Sequence, residues 1–151
     1  MRRTVFDIYF LDAELEEQEE GWLALRGCSV LGEFQEEFLA ALGPWTREQY
    51  QRHWIQAARR LVEGPYDRTG FFTSAFQFWW TMWREGEDVF VQQQLLISET
   101  LREPFNPDDP YRQLRDRHST SDDGLPLSEW RLTMNDIRDF LARRSGAYDA
   151  P

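Results

Sequence analysis

The sequence contains no lysine, a single cysteine and only two histidines among its 151 residues. All 17 basic residues are therefore arginines, a bias that we attribute to genome composition and not to function. Because Cys28 has no second cysteine to pair with, no disulfide can form within the chain. A chain without disulfides suits a reducing compartment.

Long apolar runs are also missing. None approaches the roughly 20 residues that a helix needs to cross a bilayer. At the N-terminus, Asp7 places an acid inside what would be the apolar part of a signal peptide, so we expect no export by that route. We therefore expect a cytoplasmic protein.

Motifs that carry enzyme chemistry are absent. The sequence has no phosphate-binding loop, no dinucleotide-binding glycine pattern and no nucleophile elbow. Two histidines and one cysteine supply too few ligands for a structural zinc site. His118 lies in a polar segment and His53 on a predicted helix, and neither has a visible orienting partner. We expect no catalytic residue, no metal, no cofactor and no enzyme activity.

Acidic residues dominate the charge. The chain has 27 Asp and Glu residues against 17 arginines, a formal net charge of −10. This balance argues against nucleic-acid binding, which draws its affinity from basic groups on phosphates. It favours a basic partner, because complementary fields speed association and enforce specificity. The alternative explanation is that the net negative charge only keeps the protein soluble.

The length and the aromatic content predict one globular domain. Aromatic residues make up 15% of the chain, enough for a dense core. Trp79, Trp80 and Trp83 are predicted to be core residues, in preference to a stacking platform for bases or sugars, and Cys28 a small core residue. We place the domain at residues 1–144 and a frayed tail at residues 145–151.

Composition and periodicity predict several strands and one long helix. Strands are predicted at residues 5–10, 22–25, 70–74, 76–83, 88–97 and 128–132. The first two form a possible hairpin, and Gly86 in a short turn predicts a second hairpin. Thr46 and Gln49 fit a capping box that opens a helix ending before Gly64 and Pro65. The class is therefore α+β, an antiparallel β-sheet with one long and one or two short helices packed on it.

Other segments are less regular. Residues 12–20 are predicted as a solvated loop or short helix, and residues 33–42 as a short helix or an irregular extended segment. Residues 104–110 and 117–127 are predicted loops, with a short helix between them from Pro110 to Arg115. Asn135 is predicted to cap a last helix that ends near Arg144.

From about residue 32 to residue 140 the chain resembles the immunity proteins of bacterial contact-dependent growth inhibition systems. The residues that carry this resemblance are spread in order along the chain. They are Gly32-Glu33-Phe34, Glu37-Phe38, Trp45-Thr46, Tyr50, Trp54, Ser74, Trp83-Arg84-Glu85-Gly86, Val91-Gln92, Gln94-Leu95-Leu96, Pro104-Phe105-Asn106-Pro107, Tyr111, Arg117, Thr120, Gly124, Ser128-Glu129-Trp130, Asp136-Ile137 and Phe140. His53, Gln93 and Trp83 depart from the residues that the family favours, without changing their roles.

The resemblance implies that the chain blocks a toxin domain by tight one-to-one binding. Some toxins paired with this family resemble ribonucleases of the pancreatic type, which hold RNA phosphates with basic groups. An acidic inhibitor could occupy that surface as a phosphate mimic. The net charge agrees with this implication and was obtained independently of it.

The toxin contacts are expected in the stretches that match the family poorly, because immunity proteins must discriminate between toxins. The candidates are Glu14, Glu16, Glu17, Glu19 and Glu20, followed by Asp108, Asp109, Asp122 and Asp123. The matched positions, among them Trp54, Trp130, Gln93 and Glu129, are expected to build the scaffold. Glu129 lies in an apolar strand and is predicted to pair with Arg117.

Two alternatives remain at this stage. In the first, the same fold and charge serve a protein-interaction module without a toxin partner or a domain that binds a small molecule. A bound ligand or a large apolar cavity would favour this alternative, whereas an acidic patch matched to a basic partner domain would favour immunity. The second is an enzyme, which would need a set of catalytic residues assembled from distant loops.

Overall fold

The computed structural model describes residues 5–11, 15–17, 21, 23–42, 45–74, 78–95, 111, 114, 116–118 and 128–148. These residues include eight β-strands in two antiparallel sheets and two α-helices. The predicted α+β class is confirmed, although the strands divide between two sheets instead of forming one.

The first sheet comes from the N-terminal third of the chain. Its central strand β3 (Leu23–Leu31) pairs along one edge with β4 (Phe34–Leu42). Along the other edge it pairs with β1 (Phe6–Phe10) and with the two-residue strand β2 (Glu16–Glu17). The hairpin predicted from the first two strands is confirmed, with β3 longer than predicted. Gly32 adopts a φ of 63° between β3 and β4, a conformation that glycine accepts without strain.

Two segments of this sheet differ from the predictions. Residues 34–42 form a strand, so the helical alternative for residues 33–42 is wrong. The Phe38 ring packs over Gly27, its partner in the neighbouring strand, and this pairing outweighs the helix preference of the Glu, Leu and Ala residues. Glu16 and Glu17 form strand β2, not the loop or short helix predicted there, because they pair with Ala24 and Leu23.

Helix α1 (Arg47–Val62) begins with the predicted capping box. The Gln49 backbone N–H donates to Thr46 Oγ1 at 3.2 Å, and the Thr46 N–H donates to Gln49 Oε1 at 2.8 Å. These bonds satisfy two backbone donors that the first helical turn leaves free. The apolar face of the helix, including Trp54 and Leu61, is fully buried.

The second sheet has the strand order β5 (Arg68–Ser74), β6 (Phe78–Glu85), β7 (Asp88–Leu95) and β8 (Trp130–Thr133). Gly86 has a φ of 64° in the two-residue turn between β6 and β7. The predicted hairpin is therefore confirmed.

Helix α2 (Met134–Tyr148) differs from its prediction at both ends. Thr133 caps it, because Thr133 Oγ1 accepts from the Asp136 N–H at 3.3 Å while Asp136 Oδ2 accepts from the Thr133 N–H at 2.8 Å. The prediction that Asn135 is the cap is wrong. The helix continues past Arg144 to Tyr148, whose buried hydroxyl donates to the Ile8 carbonyl at 3.2 Å, whereas the frayed tail at residues 145–151 stays a prediction.

Aromatic side chains join the two sheets. Trp80 donates from Nε1 to Ser29 Oγ at 3.0 Å, and the ring centroids of Phe34 and Trp130 lie 4.8 Å apart. On the opposite face of the second sheet, Phe72 and Trp79 stack in a smaller cluster. Trp79, Trp80 and Trp83 are all buried, as is Cys28, and these core predictions are confirmed.

Candidate functional site

The predicted partner-binding acids lie only partly within the described chain. Glu16 and Glu17 form strand β2 at the end of the first sheet, and Glu17 is exposed. The other predicted positions lie outside the described residues. They are Glu14, Glu19, Glu20, Asp108, Asp109, Asp122 and Asp123. Their role in binding therefore stays a prediction.

In the described pairing, strand β2 is hydrogen-bonded along one edge, to strand β3. Glu17 lies directly opposite Leu23, so their side chains project from the same face of the sheet. Between the two strands, Gly21 has a φ of 82°, which glycine accepts readily. Leu15 and Leu23 are 53% and 43% exposed at this end of the sheet. Carboxylates and exposed apolar side chains therefore lie side by side.

The negative charge of the chain is concentrated in the same stretch. Residues 12–20 contain six acids and no base, and so supply six of the ten net negative charges. Elsewhere, many carboxylates form ion pairs with arginine. These are Asp7, Glu37, Asp67, Glu85, Glu87, Asp88, Asp116, Glu129 and Asp139.

The predicted pair of Arg117 and Glu129 is confirmed and is bidentate. Arg117 donates from Nε to Glu129 Oε2 at 2.8 Å and from Nη2 to Oε1 at 2.6 Å. These charge-assisted hydrogen bonds hold the pKa of Glu129 below its usual value, although partial burial opposes the shift. The carboxylate therefore stays ionised at neutral pH.

Gln92 and Phe90 also belong to this cluster, and their contacts with Arg117 and Glu129 were not predicted from the sequence. The Gln92 amide donates to Glu129 Oε2 at 2.8 Å and to the His118 carbonyl at 2.7 Å. The Arg117 guanidinium lies 3.7 Å from the centroid of the Phe90 ring. The cluster ties the chain around residues 117–118 and 128–129 to strand β7, which is a scaffold role.

A second buried carboxylate was missed. Asp7 is 6% exposed within strand β1 and receives hydrogen bonds from Arg144 at 3.0 Å and 2.7 Å. Arg143 approaches the same carboxylate at 3.2 Å. The signal was available, since Asp7, like Glu129, interrupts an apolar strand and a buried charge needs a partner.

The two histidines differ in burial and in the contacts that they make. His53 is buried, and its Nε2 accepts the Phe72 backbone N–H at 3.0 Å. Burial lowers the pKa of His53 to about 3, so the ring stays neutral in its structural hydrogen bond. His118 is exposed, and its backbone carbonyl makes the described contact with Gln92.

Of the scaffold positions, Trp54 is buried, whereas Gln93 is exposed. Trp54 donates from Nε1 to the Phe72 carbonyl at 2.7 Å. Gln93 donates to Glu36 Oε1 at 3.1 Å and so links the second sheet to the first. Among the described residues there is no group of three or more His, Cys, Asp or Glu that could hold a metal ion. Neither described helix is long and apolar enough to span a membrane.

Comparison with known proteins identifies the family. Residues 40–140 match the model of the CdiI N-terminal domain, and these residues make up more than half of the chain. The chain belongs to the CdiI N-terminal domain family. The match extends from the end of strand β4 into helix α2, so it includes both the Arg117–Glu129 pair and the whole second sheet.

The chain is also similar to a curated protein in sequence and to a solved structure in fold. The immunity protein CdiI of Enterobacter cloacae subsp. cloacae is 26% identical over 130 residues, which cover 80% of this chain and 87% of that protein. The fold is similar to that of a chain in the solved CdiA-CT/CdiI toxin and immunity complex from Enterobacter cloacae. That comparison has a TM-score of 0.81 at 23% identity and covers 95% of this chain and 100% of the other.

Proposed function

We propose that the chain is an immunity protein that binds a cognate CdiA-type C-terminal toxin domain and neutralises it. The observation that carries this proposal is its membership of the CdiI family, together with the immunity function named for its Enterobacter cloacae relative. We further propose that neutralisation comes from tight one-to-one binding that covers the toxin, in the cytoplasm of the protected cell, without catalysis by the chain.

We also propose that the cognate toxin is a nuclease, and specifically a ribonuclease of the pancreatic type. Such an enzyme must hold RNA phosphates with basic groups. A formal net charge of −10 suits an inhibitor that occupies this basic surface. In this proposal, carboxylates of the chain take the place of substrate phosphates.

The acidic stretch around strand β2 is the proposed contact surface. It comprises Glu14, Glu16, Glu17, Glu19 and Glu20, with Asp108, Asp109, Asp122 and Asp123 as a second set. Strand β2 supports this choice because Glu17 is exposed there, and because the stretch contains no arginine that would neutralise it.

The test of the function is binding to the toxin domain encoded directly upstream of this chain. We expect the two proteins to co-purify at equal stoichiometry, and the complex to lack the ribonuclease activity of the free toxin. A toxin domain from an unrelated system serves as the control for specificity. Failure to bind the cognate domain, or a complex that still cleaves RNA, would contradict the proposal.

The contact surface is tested by charge reversal. In the double variant E16K/E17K we expect affinity for the toxin to fall at least about tenfold, with a weaker dependence on salt, because screened charge attraction is lost. The fold should tolerate the change, since lysine is common on short edge strands. The control E48K/E63K makes the same charge change at the two ends of helix α1, in its first turn and at its C-cap. Equal losses in both variants would show that net charge matters and that this location does not.

A further inference from the structure

Leu15 and Leu23 stand out among the exposed side chains of the described residues. They are 53% and 43% exposed, and Tyr66, at 50%, is the other large hydrophobic side chain exposed to this degree. Leu15 immediately precedes strand β2, and Leu23 begins the part of strand β3 that pairs with it. The two leucines therefore lie at the same end of the first sheet, whereas Tyr66 follows helix α1.

The surroundings of these leucines are apolar on one side and acidic on the other. Leu23 is paired in register with Leu42, which packs against the main core, and the next inward residue on the same face is the buried Leu25. On its other side Leu23 pairs with Glu17. The exposed leucines thus continue the core outward to the exposed Glu17 of strand β2.

Among the described residues, the helix that covers the neighbouring strand β1 ends at Tyr148. Helix α2 shields the outer edge of β1, where Arg143 donates to the Phe6 carbonyl at 2.6 Å and Tyr148 donates to the Ile8 carbonyl. Tyr148 is the last residue of that helix, and its contact lies at the middle of β1. Within the described part of the chain, these two bonds of helix α2 therefore lie on β1, to one side of β2.

We propose that Leu15 and Leu23 form the apolar centre of the toxin interface, with the exposed Glu17 beside them in its charged rim. This inference rests on the proposed function and names the residues that would anchor the complex. The occupant is a basic surface of the toxin domain. Lysine and arginine carry apolar stems below their charged heads, so their stems pack on the two leucines while their heads meet the carboxylates.

The two parts of such an interface contribute differently to binding. Carboxylates at the rim accelerate association and lose their effect in salt. Apolar contacts at the centre slow dissociation and are not screened by salt. Replacing the leucines should therefore leave the salt dependence of binding intact while weakening binding at every salt concentration.

The test uses the full chain and the cognate toxin domain. In L15S/L23T we expect the dissociation rate to rise at least about tenfold at both about 0.1 M and about 0.5 M salt, with the association rate nearly unchanged. The threonine keeps a residue suited to a strand at position 23. The control Y66S removes an equally exposed apolar side chain elsewhere and should bind as the unaltered chain does.

The outcomes separate this inference from the proposed function. If the unaltered chain binds the toxin and L15S/L23T binds equally well, the leucines are not in the interface and this inference is overturned. If Y66S weakens binding as much as the double variant, the effect is not specific to this surface and the inference is likewise overturned. If the unaltered chain does not bind, the proposed function itself fails. Should L15S/L23T unfold, the single variant L15S, outside both strands, provides the same comparison with an expected increase of about threefold in the dissociation rate.

Discussion

Two carboxylates within apolar strands show how single residues stabilise this fold. Glu129 was recognised from the sequence as needing a cation, and Arg117 provides it. Asp7 presents the same pattern near the N-terminus, but its partners, Arg143 and Arg144, lie more than 130 positions away in the sequence. The need for a partner was predictable, whereas its identity depended on the packing of helix α2.

The Arg117–Glu129 pair should contribute measurably to stability. In R117A we expect the free energy of unfolding to fall by about 1–2 kcal/mol, because the pair is bidentate and only partly exposed. The control R131A breaks a more exposed pair with Asp88 and should cost less than about 0.5 kcal/mol. Urea denaturation compares the two, and equal effects would contradict the role assigned to Arg117.

His53 should make the stability of the chain depend on pH. Its pKa is about 3 when folded and 6.5 in its ordinary environment, so the unfolded chain binds more protons between these values. Well above pH 6.5, His53 therefore has almost no effect on the free energy of unfolding. As the pH falls below 6.5, the free energy of unfolding decreases. The loss at pH 5 is about 2 kcal/mol relative to pH 7.

The variant H53Q tests this pH dependence, because glutamine does not titrate and its carbonyl oxygen can accept the Phe72 N–H in place of His53 Nε2. We expect the decrease in stability between pH 7 and pH 5 to be smaller in H53Q by about 2 kcal/mol. The control H118Q alters the exposed histidine and should retain the full decrease. An unchanged decrease in H53Q would show that His53 is not the responsible group.

At the scale of elements, side chains of the two helices form hydrogen bonds to one edge of each sheet. Helix α1 bonds the outer edge of β5, where His53 and Trp54 engage the N–H and carbonyl of Phe72 and Arg60 donates to the Arg68 carbonyl. Helix α2 covers the outer edge of β1 in the same way, because Arg143 and Tyr148 donate to backbone carbonyls there. Covered edges cannot pair with other chains, which protects the protein from aggregation.

The predictions of helices and strands were correct where neighbouring residues alone determine the local structure. The capping box and the Gly86 turn fix their structures through neighbouring residues, so helix α1 and the β6–β7 hairpin were predicted correctly. Strand β4 was ambiguous because its Glu, Leu and Ala residues favour a helix locally. Only the partner strand β3, with Gly27 beneath the Phe38 ring, decides the outcome.

The last turn of helix α2 should be part of the folded domain. The variant Y148F removes the hydrogen bond to Ile8 and should cost about 1 kcal/mol. Deleting residues 145–151 removes the buried ring as well and should cost about 2–4 kcal/mol, by thermal or urea denaturation. A truncated chain as stable as the full chain would restore the original expectation of a frayed tail.

Across the whole molecule, positive and negative charges are distributed unequally. Arginines pair with carboxylates at many positions of the described chain, and the sequence of residues 12–20 contains six acids and no base. Composition alone left a basic partner and mere solubility both open, and the family membership indicates what kind of partner to test. The sequence could not predict that exposed leucines would lie beside Glu17, since the positions of these side chains depend on how strand β2 pairs with β3.

The most direct test of the central claim is growth protection. Cells that express the cognate toxin domain should stop growing alone and grow normally when the unaltered chain is co-expressed. Protection should be weakened by E16K/E17K and retained by E48K/E63K at equal protein levels. Growth arrest that persists with the unaltered chain present would contradict the claim that this protein neutralises the toxin.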